Sequence, residues 1–285
     1  MERGDRYNVE RYVTTNSGRT FYIRETPGEN GTIIGSHGLT GHHKQLRHYQ
    51  EAFSGTYRFI SYDILGRGNS GPAPEGSSID THANDLLDLI ATMEIKRPIL
   101  LGYSMGAYIS AIAASRLSDV EALILLDGAG RADDGTRQLV LPSLERLKKT
   151  YSTPDQYVEE ARMLYTKLNI EWNQQMEEIV RYEITEEDGV WKHKSDPGII
   201  TRDFDSFYTF HPEKILPLIQ CSAFLLVATG SIGGKGPLFQ KGGYAQTKKW
   251  ISDLHTEVTS VNHYELVFHK QPEIIEQIQT FLSRM

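Results

Sequence analysis

The chain has 285 residues, of which 39% are hydrophobic and 24% charged, with a formal net charge of −7 and a mean hydropathy of −0.41. That suits a globular protein with a full core, either one α/β domain with an insertion or two small domains, and it excludes a nucleic-acid binder, which needs a basic stripe. A single cysteine, Cys221, excludes an internal disulfide framework. Neither a secretory apolar region nor an apolar run of ~18 residues is present. The expectation is a cytoplasmic protein with no membrane partner.

In chain order, Arg11 to Asn16 and Thr20 to Thr26 read as two strands joined by the turn Ser17-Gly18, hence an antiparallel pair. Thr32 to Ser36 is a short apolar strand ending at His37-Gly38, and Tyr57 to Asp63 is another, running into Asp63-Ile64-Leu65-Gly66-Arg67-Gly68-Asn69-Ser70. Ile79 to Met93 has helical spacing. Pro98 to Gly102 reads as a strand, followed by a small-residue helix from Ala107 to Leu117. Ala122 to Leu126 is a strand ending at Asp127-Gly128. Ala223 to Thr229 and Glu257 to Val261 are the last two strands, and a helix over Pro272 to Ser283 closes the chain. Strands alternating with helices predict an α/β fold with a mainly parallel sheet.

From Arg131 to His211 the rhythm breaks. Helical spacing recurs at Leu141 to Tyr151 and Pro154 to Leu168, and Trp172, Trp191, Phe204, Phe207, Tyr208 and Phe210 add aromatic bulk. Residues 1–130 and 212–285 then form a core and 131–211 a helical lid over the strand ends. Extra sheet-flanking helices are the plainer alternative.

Chemistry concentrates at the carboxyl ends of the strands, where ligands bind in open parallel sheets. Gly102-Tyr103-Ser104-Met105-Gly106 fits G-x-S-x-G between a strand and a helix, the context that makes Ser104 a candidate nucleophile rather than a buried turn serine. Its hydroxyl needs a base, and His263, just past the last strand, is best placed, with His269 the runner-up. For the acid, Asp127 ends the Ala122 to Leu126 strand. Asp203, Asp205, Asp133 and Asp134 compete with it, as does a plain capping role for Asp127. The backbone N–H groups of Met105 and Leu39 are the candidate oxyanion donors. His37 reads as a residue that shapes its turn. The loop Asp63 to Ser70 lacks the phosphate-binding pattern, and Gly233-Gly234-Lys235-Gly236 lacks a strand–loop–helix frame. No His, Cys or Asp cluster has metal-ligand spacing, so neither a metal nor a cofactor is expected.

HGLTG, DILGRGNS, GYSMG and NHYELVF together resemble the α/β-hydrolase superfamily. The resemblance implies a sheet of about eight strands with helices on both faces, a lid after the sixth strand, and a triad of Ser104, His263 and an acid. The usual acid position, in a pattern like V-x-G-x-x-D, is Gly233 here, and residues 229–237 contain no Asp or Glu. Some lactonase, amidohydrolase and lipase branches place the acid after the sixth strand instead, which favours Asp127. A serine at the elbow sets the chain apart from haloalkane dehalogenases and epoxide hydrolases, which use aspartate. The implied activity is acyl-serine hydrolysis of an ester or lactone of a small apolar substrate. Thioesterase, amidohydrolase and carbon–carbon hydrolase activities, or a slow small-molecule receptor, are the rivals. Arg131, Arg162 and Arg202 are candidates for a substrate carboxylate or for solvated surface. The expected partner is a small-molecule substrate, and the expected state a monomer or homodimer.

Overall fold

The computed structural model describes residues 8–285; Met1 to Tyr7, the start of the polar N-terminal stretch, lie outside them. In chain order the first half contains β1 (Val9–Thr14), β2 (Thr20–Thr26), β3 (Thr32–Ser36), α1 (Arg47–Phe53), β4 (Arg58–Tyr62), α2 (Ile79–Thr92), β5 (Ile99–Tyr103), α3 (Met105–Arg116) and β6 (Ala122–Leu126). There follow α4 (Asp134–Arg146), β7 (Thr150–Tyr151), α5 (Pro154–Lys167), α6 (Gln174–Tyr182), β8 (Ile184–Glu187), β9 (Val190–His193) and α7 (Pro197–Asp205). The chain returns through α8 (Pro212–Ile215), β10 (Ser222–Ala228), α9 (Ala245–Trp250), β11 (Leu254–Thr259), α10 (Glu265–Phe268) and α11 (Pro272–Leu282).

Eight strands form one sheet in the order β1-β2-β4-β3-β5-β6-β10-β11. β1 and β2 pair antiparallel, as do β2 and β4; every other pair is parallel. The central strands are continuous apolar runs, ILLGY in β5 and ALILL in β6, with every residue buried. Such runs are what a parallel sheet needs when helices cover both faces. Successive side chains point to opposite faces, and the core divides accordingly. Ile34, Leu100, Leu123 and Leu225 pack with α2 and α3 on one face, and Ile33, Leu101, Ile124 and Leu226 pack with α1 and α11 on the other. α2 starts at a Ser78 cap whose hydroxyl accepts from the Thr81 N–H. Its buried stripe of Ile79, Ala83, Leu86, Leu89 and Ile90 is the period the sequence shows.

Two differences from the sequence reading have physical causes. β11 begins at Leu254 rather than Glu257, because an edge strand with one half-exposed face carries little apolar signal. The helix expected over Leu141 to Tyr151 starts earlier, at Asp134, where Asp133 and Thr136 form a reciprocal capping box. It ends at Arg146, and Thr150 and Tyr151 turn instead into a strand paired with β9. Between β6 and β10 the helices are thus joined by an antiparallel sheet, β7-β9-β8, whose strands of two to four residues are too short to read as a pattern. Among the described residues, no helix is long and apolar enough to cross a membrane.

Candidate active site

Ser104 sits between β5 and α3 at φ 54, ψ −115. A non-glycine residue at positive φ is strained and must be held by its surroundings. The two flanking glycines do part of this. A Cβ on Gly102 would lie 2.1 Å from the Gly106 carbonyl oxygen, and one on Gly106 would lie 2.0 Å from the Ser36 carbonyl oxygen. Strand and helix can make this tight turn only if both positions lack a side chain. Ser104 also donates its N–H to the Leu126 carbonyl at 3.0 Å, which ties the turn to β6.

The structure brings Ser104, His263 and Asp127 into one hydrogen-bonded line. His263 Nε2 lies 3.0 Å from Ser104 Oγ, and His263 Nδ1 lies 2.7 Å from Asp127 Oδ2. A carboxylate facing Nδ1 places the ring proton there and leaves Nε2 free to accept from the serine hydroxyl. All three side chains are buried. Asp127 has φ 46 at the end of β6. Its other oxygen, Oδ1, accepts from the Ala228 N–H at 3.0 Å and the Tyr244 hydroxyl at 2.8 Å.

The histidine loop is fixed independently. Asn262 Oδ1 accepts from the N–H groups of Tyr264 and Glu265, and Glu265 returns a carboxylate oxygen to the Asn262 N–H, each at 3.0 Å. The Tyr103 ring stacks on His263 at 4.8 Å, and its hydroxyl donates to the His263 carbonyl at 3.0 Å. Phe239 meets the imidazole edge-on at 5.7 Å. Sequence reasoning missed Tyr244, Tyr103 and Asn262. Tyr103 and Asn262 flank the named residues directly, while Tyr244 arrives from a distant loop.

Met105 opens α3, where the first amides of a helix have no intrahelical partner. Leu39 lies in the loop after β3 and is buried beside Arg67. Arg67, wholly interior, donates from Nε to the Leu39 carbonyl at 3.2 Å and from Nη1 to the Leu65 carbonyl at 3.0 Å, and its Nη2 lies 3.9 Å from Met105 Sδ. Asp203 of α7 neutralises it at 2.5 Å and also holds His82 and Ser77. Burial works to raise the Asp203 carboxyl, but the His82 hydrogen bond and the Arg67 charge outweigh it and hold it at about 2. His37 is engaged at both nitrogens, Nδ1 donating to the Gly38 carbonyl and Nε2 accepting from Ile64 N–H.

The competing acids are occupied elsewhere. Asp203 serves Arg67, Asp205 pairs with Arg137 at 2.9 Å, Asp133 caps α4, and Asp134 lies in that helix's first turn. His269 reaches the Glu171 carbonyl instead. Arg162 pairs with Glu177 at 3.5 Å, and Arg131 and Arg202 are exposed. Cys221 is half-buried, and burial pushes its thiol up to about 11. Spacing in sequence gave no sign of the cluster His42, His43 and Asp63, whose ligand-type atoms lie within 4.8 Å of one another. Those atoms hold hydrogen bonds already: Asp63 accepts from His43 Nδ1 and N–H, Asn69 N–H and the Tyr182 hydroxyl, and His42 donates to the Ile179 carbonyl. The cluster ties the β4 loop to α6.

A family model described as the alpha/beta hydrolase fold matches residues 31–163. The AB hydrolase superfamily protein YisY of Bacillus subtilis is 34% identical over 124 residues, 42% of this chain and 46% of that protein. The putative carbamate hydrolase RutD of Klebsiella pneumoniae (strain 342) is 33% identical over 111 residues, 38% of this chain and 42% of that protein. The matched stretch thus spans less than half the length of these relatives. Among solved structures, E-2-(acetamidomethylene)succinate hydrolase superposes with a TM-score of 0.84 at 17% identity, covering 97% of this chain and all of that one. The enol-lactonase from Burkholderia xenovorans LB400 superposes with a TM-score of 0.69 at 18% identity, covering 96% of this chain and 100% of that one.

Proposed function

We propose that this chain, whose fold is that of the α/β hydrolases, is a serine hydrolase that cleaves a carboxylic ester, lactone or related acyl bond of a small substrate. The observation that carries this reading is the line from Ser104 Oγ through His263 to Asp127, at 3.0 and 2.7 Å. His263 Nε2 takes the Ser104 proton as the oxygen attacks the acyl carbon. Asp127 holds the imidazole in the required tautomer and faces the charge that forms on it. The N–H groups of Met105 and Leu39 are the donors for the oxyanion. His263 then protonates the leaving group, activates water, and Ser104 is released.

A second reading, cleavage of an acyl carbon–nitrogen bond, uses the same steps with an amine leaving group. It is favoured by the relatives named as putative carbamate hydrolases. Wild type, Ser104→Ala and Asp127→Asn, assayed on p-nitrophenyl esters, thioesters, lactones and carbamates and labelled with a fluorophosphonate, test both. The expected outcome is turnover and labelling by wild type, none by Ser104→Ala, and a loss of roughly 10⁴ in kcat for Asp127→Asn. An Asp127→Asn protein with nearly normal turnover refutes Asp127 as the acid.

A further inference from the structure

Between α4, α5 and the loop after β10 lies a cavity of about 160 Å³, one residue along the chain from His263. Ser143 and Pro142 of α4, Lys167 and Leu168 at the end of α5, Lys235, and Tyr264 give it its character. Two features set its charge. None of its lining residues is Asp or Glu, in a chain whose net charge is −7. Two of them are lysines. Lys148, Lys149 and Lys192 each hold a carboxylate in an ion pair, whereas Lys167 and Lys235 hold none among the described residues.

The loop that supplies Lys235 is the one in which Gly233 stands where the commoner acid would be. Gly233, Gly234 and Gly236 all have positive φ, a path open to glycine and strained for other residues. Gly233 also lies in contact with Lys167 and Leu168. Placing the acid on Asp127, at the end of β6, leaves the lining of this cavity free of negative charge. A carboxylate at Gly233 would repel an anion here.

A third cation, on α4, stands outside the cavity's lining. Arg146 follows Pro142 and Ser143 by one turn on the same face of α4. It is 5% exposed and stacks over Tyr157 at 5.2 Å, with Glu183 at 3.5 Å from Nη2. Its Nε and Nη1 donors have no partner among the described residues. Buried donors left unpaired are costly, and a carboxylate oxygen is the acceptor that suits a guanidinium. Arg131, Arg162 and Arg202, the arginines that the sequence suggested for a substrate carboxylate, do not line this cavity either.

We propose that the cavity receives the carboxylate end of an anionic acyl substrate, with Lys167 and Lys235 at its wall and Arg146 one helical turn beyond Pro142 and Ser143. The volume is well below the ~300 Å³ at which drug-sized pockets begin, so the acid-bearing arm is short. The proposal rests on the serine-hydrolase reading for the bond cleaved and on the cavity's charge for the substrate class.

The test compares monomethyl glutarate with methyl hexanoate, a charged and a neutral ester of similar length, by pH-stat at low and high salt. A second arm titrates glutarate into Ser104→Ala by calorimetry. The expected result is a kcat/KM roughly tenfold higher for the charged ester, carried by KM and shrinking in high salt. Lys167→Gln and Lys235→Gln, both at exposed positions, each cut that ratio by about threefold, the scale of a solvent-screened ion pair. Arg146→Gln lowers it further. An equal or inverted preference that ignores the lysine substitutions overturns the proposal. If wild type cleaves neither ester, the calorimetry decides the subsite alone, and labelling of Ser104 by the fluorophosphonate decides the hydrolase reading. Glutarate binding weakened in the lysine variants upholds it, and no binding overturns it.

Discussion

Arg67 Nε donates to the carbonyl oxygen of Leu39 at 3.2 Å, while the same guanidinium lies 3.9 Å from Met105 Sδ and is neutralised by Asp203. One buried cation therefore touches both residues proposed to carry the oxyanion donors, and its counter-ion comes from α7. Removing one member of a buried pair leaves an uncompensated charge, so Arg67→Met is expected to lose about 3–5 kcal/mol of stability. Arg67→Met combined with Asp203→Leu removes both charges and recovers most of that loss in urea melts. Its kcat stays at least about tenfold down if the clamp positions the oxyanion donors. A double variant with wild-type kcat would reduce Arg67 to a stability element.

Tyr244 and the Ala228 N–H together hold Asp127 Oδ1, leaving Oδ2 for His263. Burial, and next to it the neighbouring Asp127 charge, push the Tyr244 hydroxyl well above its ordinary range, so it stays a donor. Tyr244→Phe removes one hydrogen bond to a charged group, worth about 1.5–3 kcal/mol. The expected outcome is a stability loss of that size and a kcat reduced about tenfold as the carboxylate loosens. Melts and steady-state kinetics on a p-nitrophenyl ester measure both, and an unchanged kcat would show that the Ala228 amide alone suffices.

What the sequence discloses about this site follows from which constraints are local. Gly102 reports a backbone contact with Gly106, four residues on, so the elbow is legible as a motif, although the contact of Gly106 with Ser36 of β3 is not. Asp127 is legible by subtraction, because residues 229–237 hold no acid and a strand end does. Tyr244 and Asp203 are not legible. Each reaches its partner from more than a hundred residues away, and nothing in periodicity ties them together. The strands β7, β8 and β9 are hidden for another reason: two to four residues cannot show alternation.

Gly106→Ala is the sharpest test of the elbow's packing. The added methyl would meet the Ser36 carbonyl oxygen at 2.0 Å, and that atom is backbone in β3 rather than a movable side-chain end. Overpacking typically costs about 1–3 kcal/mol, and a rigid backbone contact belongs at the upper end. Because Ser104 is held by the same turn, turnover should fall along with stability. Urea melts showing a Gly106→Ala protein as stable as wild type would mean that α3 can slide away from β3.

Acid should destabilise the protein from pH 6.5 downward, well above the usual carboxylate range. Burial above all pushes His37 down to about 3 and His193 likewise to about 3, from an ordinary value of 6.5. The geometry of His37 explains it: Nε2 accepts from the Ile64 N–H, and a proton there would turn the acceptor into a second donor facing it. Between pH 6.5 and pH 3 the unfolded chain therefore binds protons at these rings that the folded protein refuses. Stability is full above pH 6.5 and falls as pH drops, by up to about 1.4 kcal/mol per pH unit for each ring. Urea midpoints measured from pH 7.5 to 4.5 should decline along this slope, and His193→Gln should remove about one proton's share of it. Midpoints that stay level from pH 7 to 5 would mean that these two imidazoles open to water without unfolding the chain.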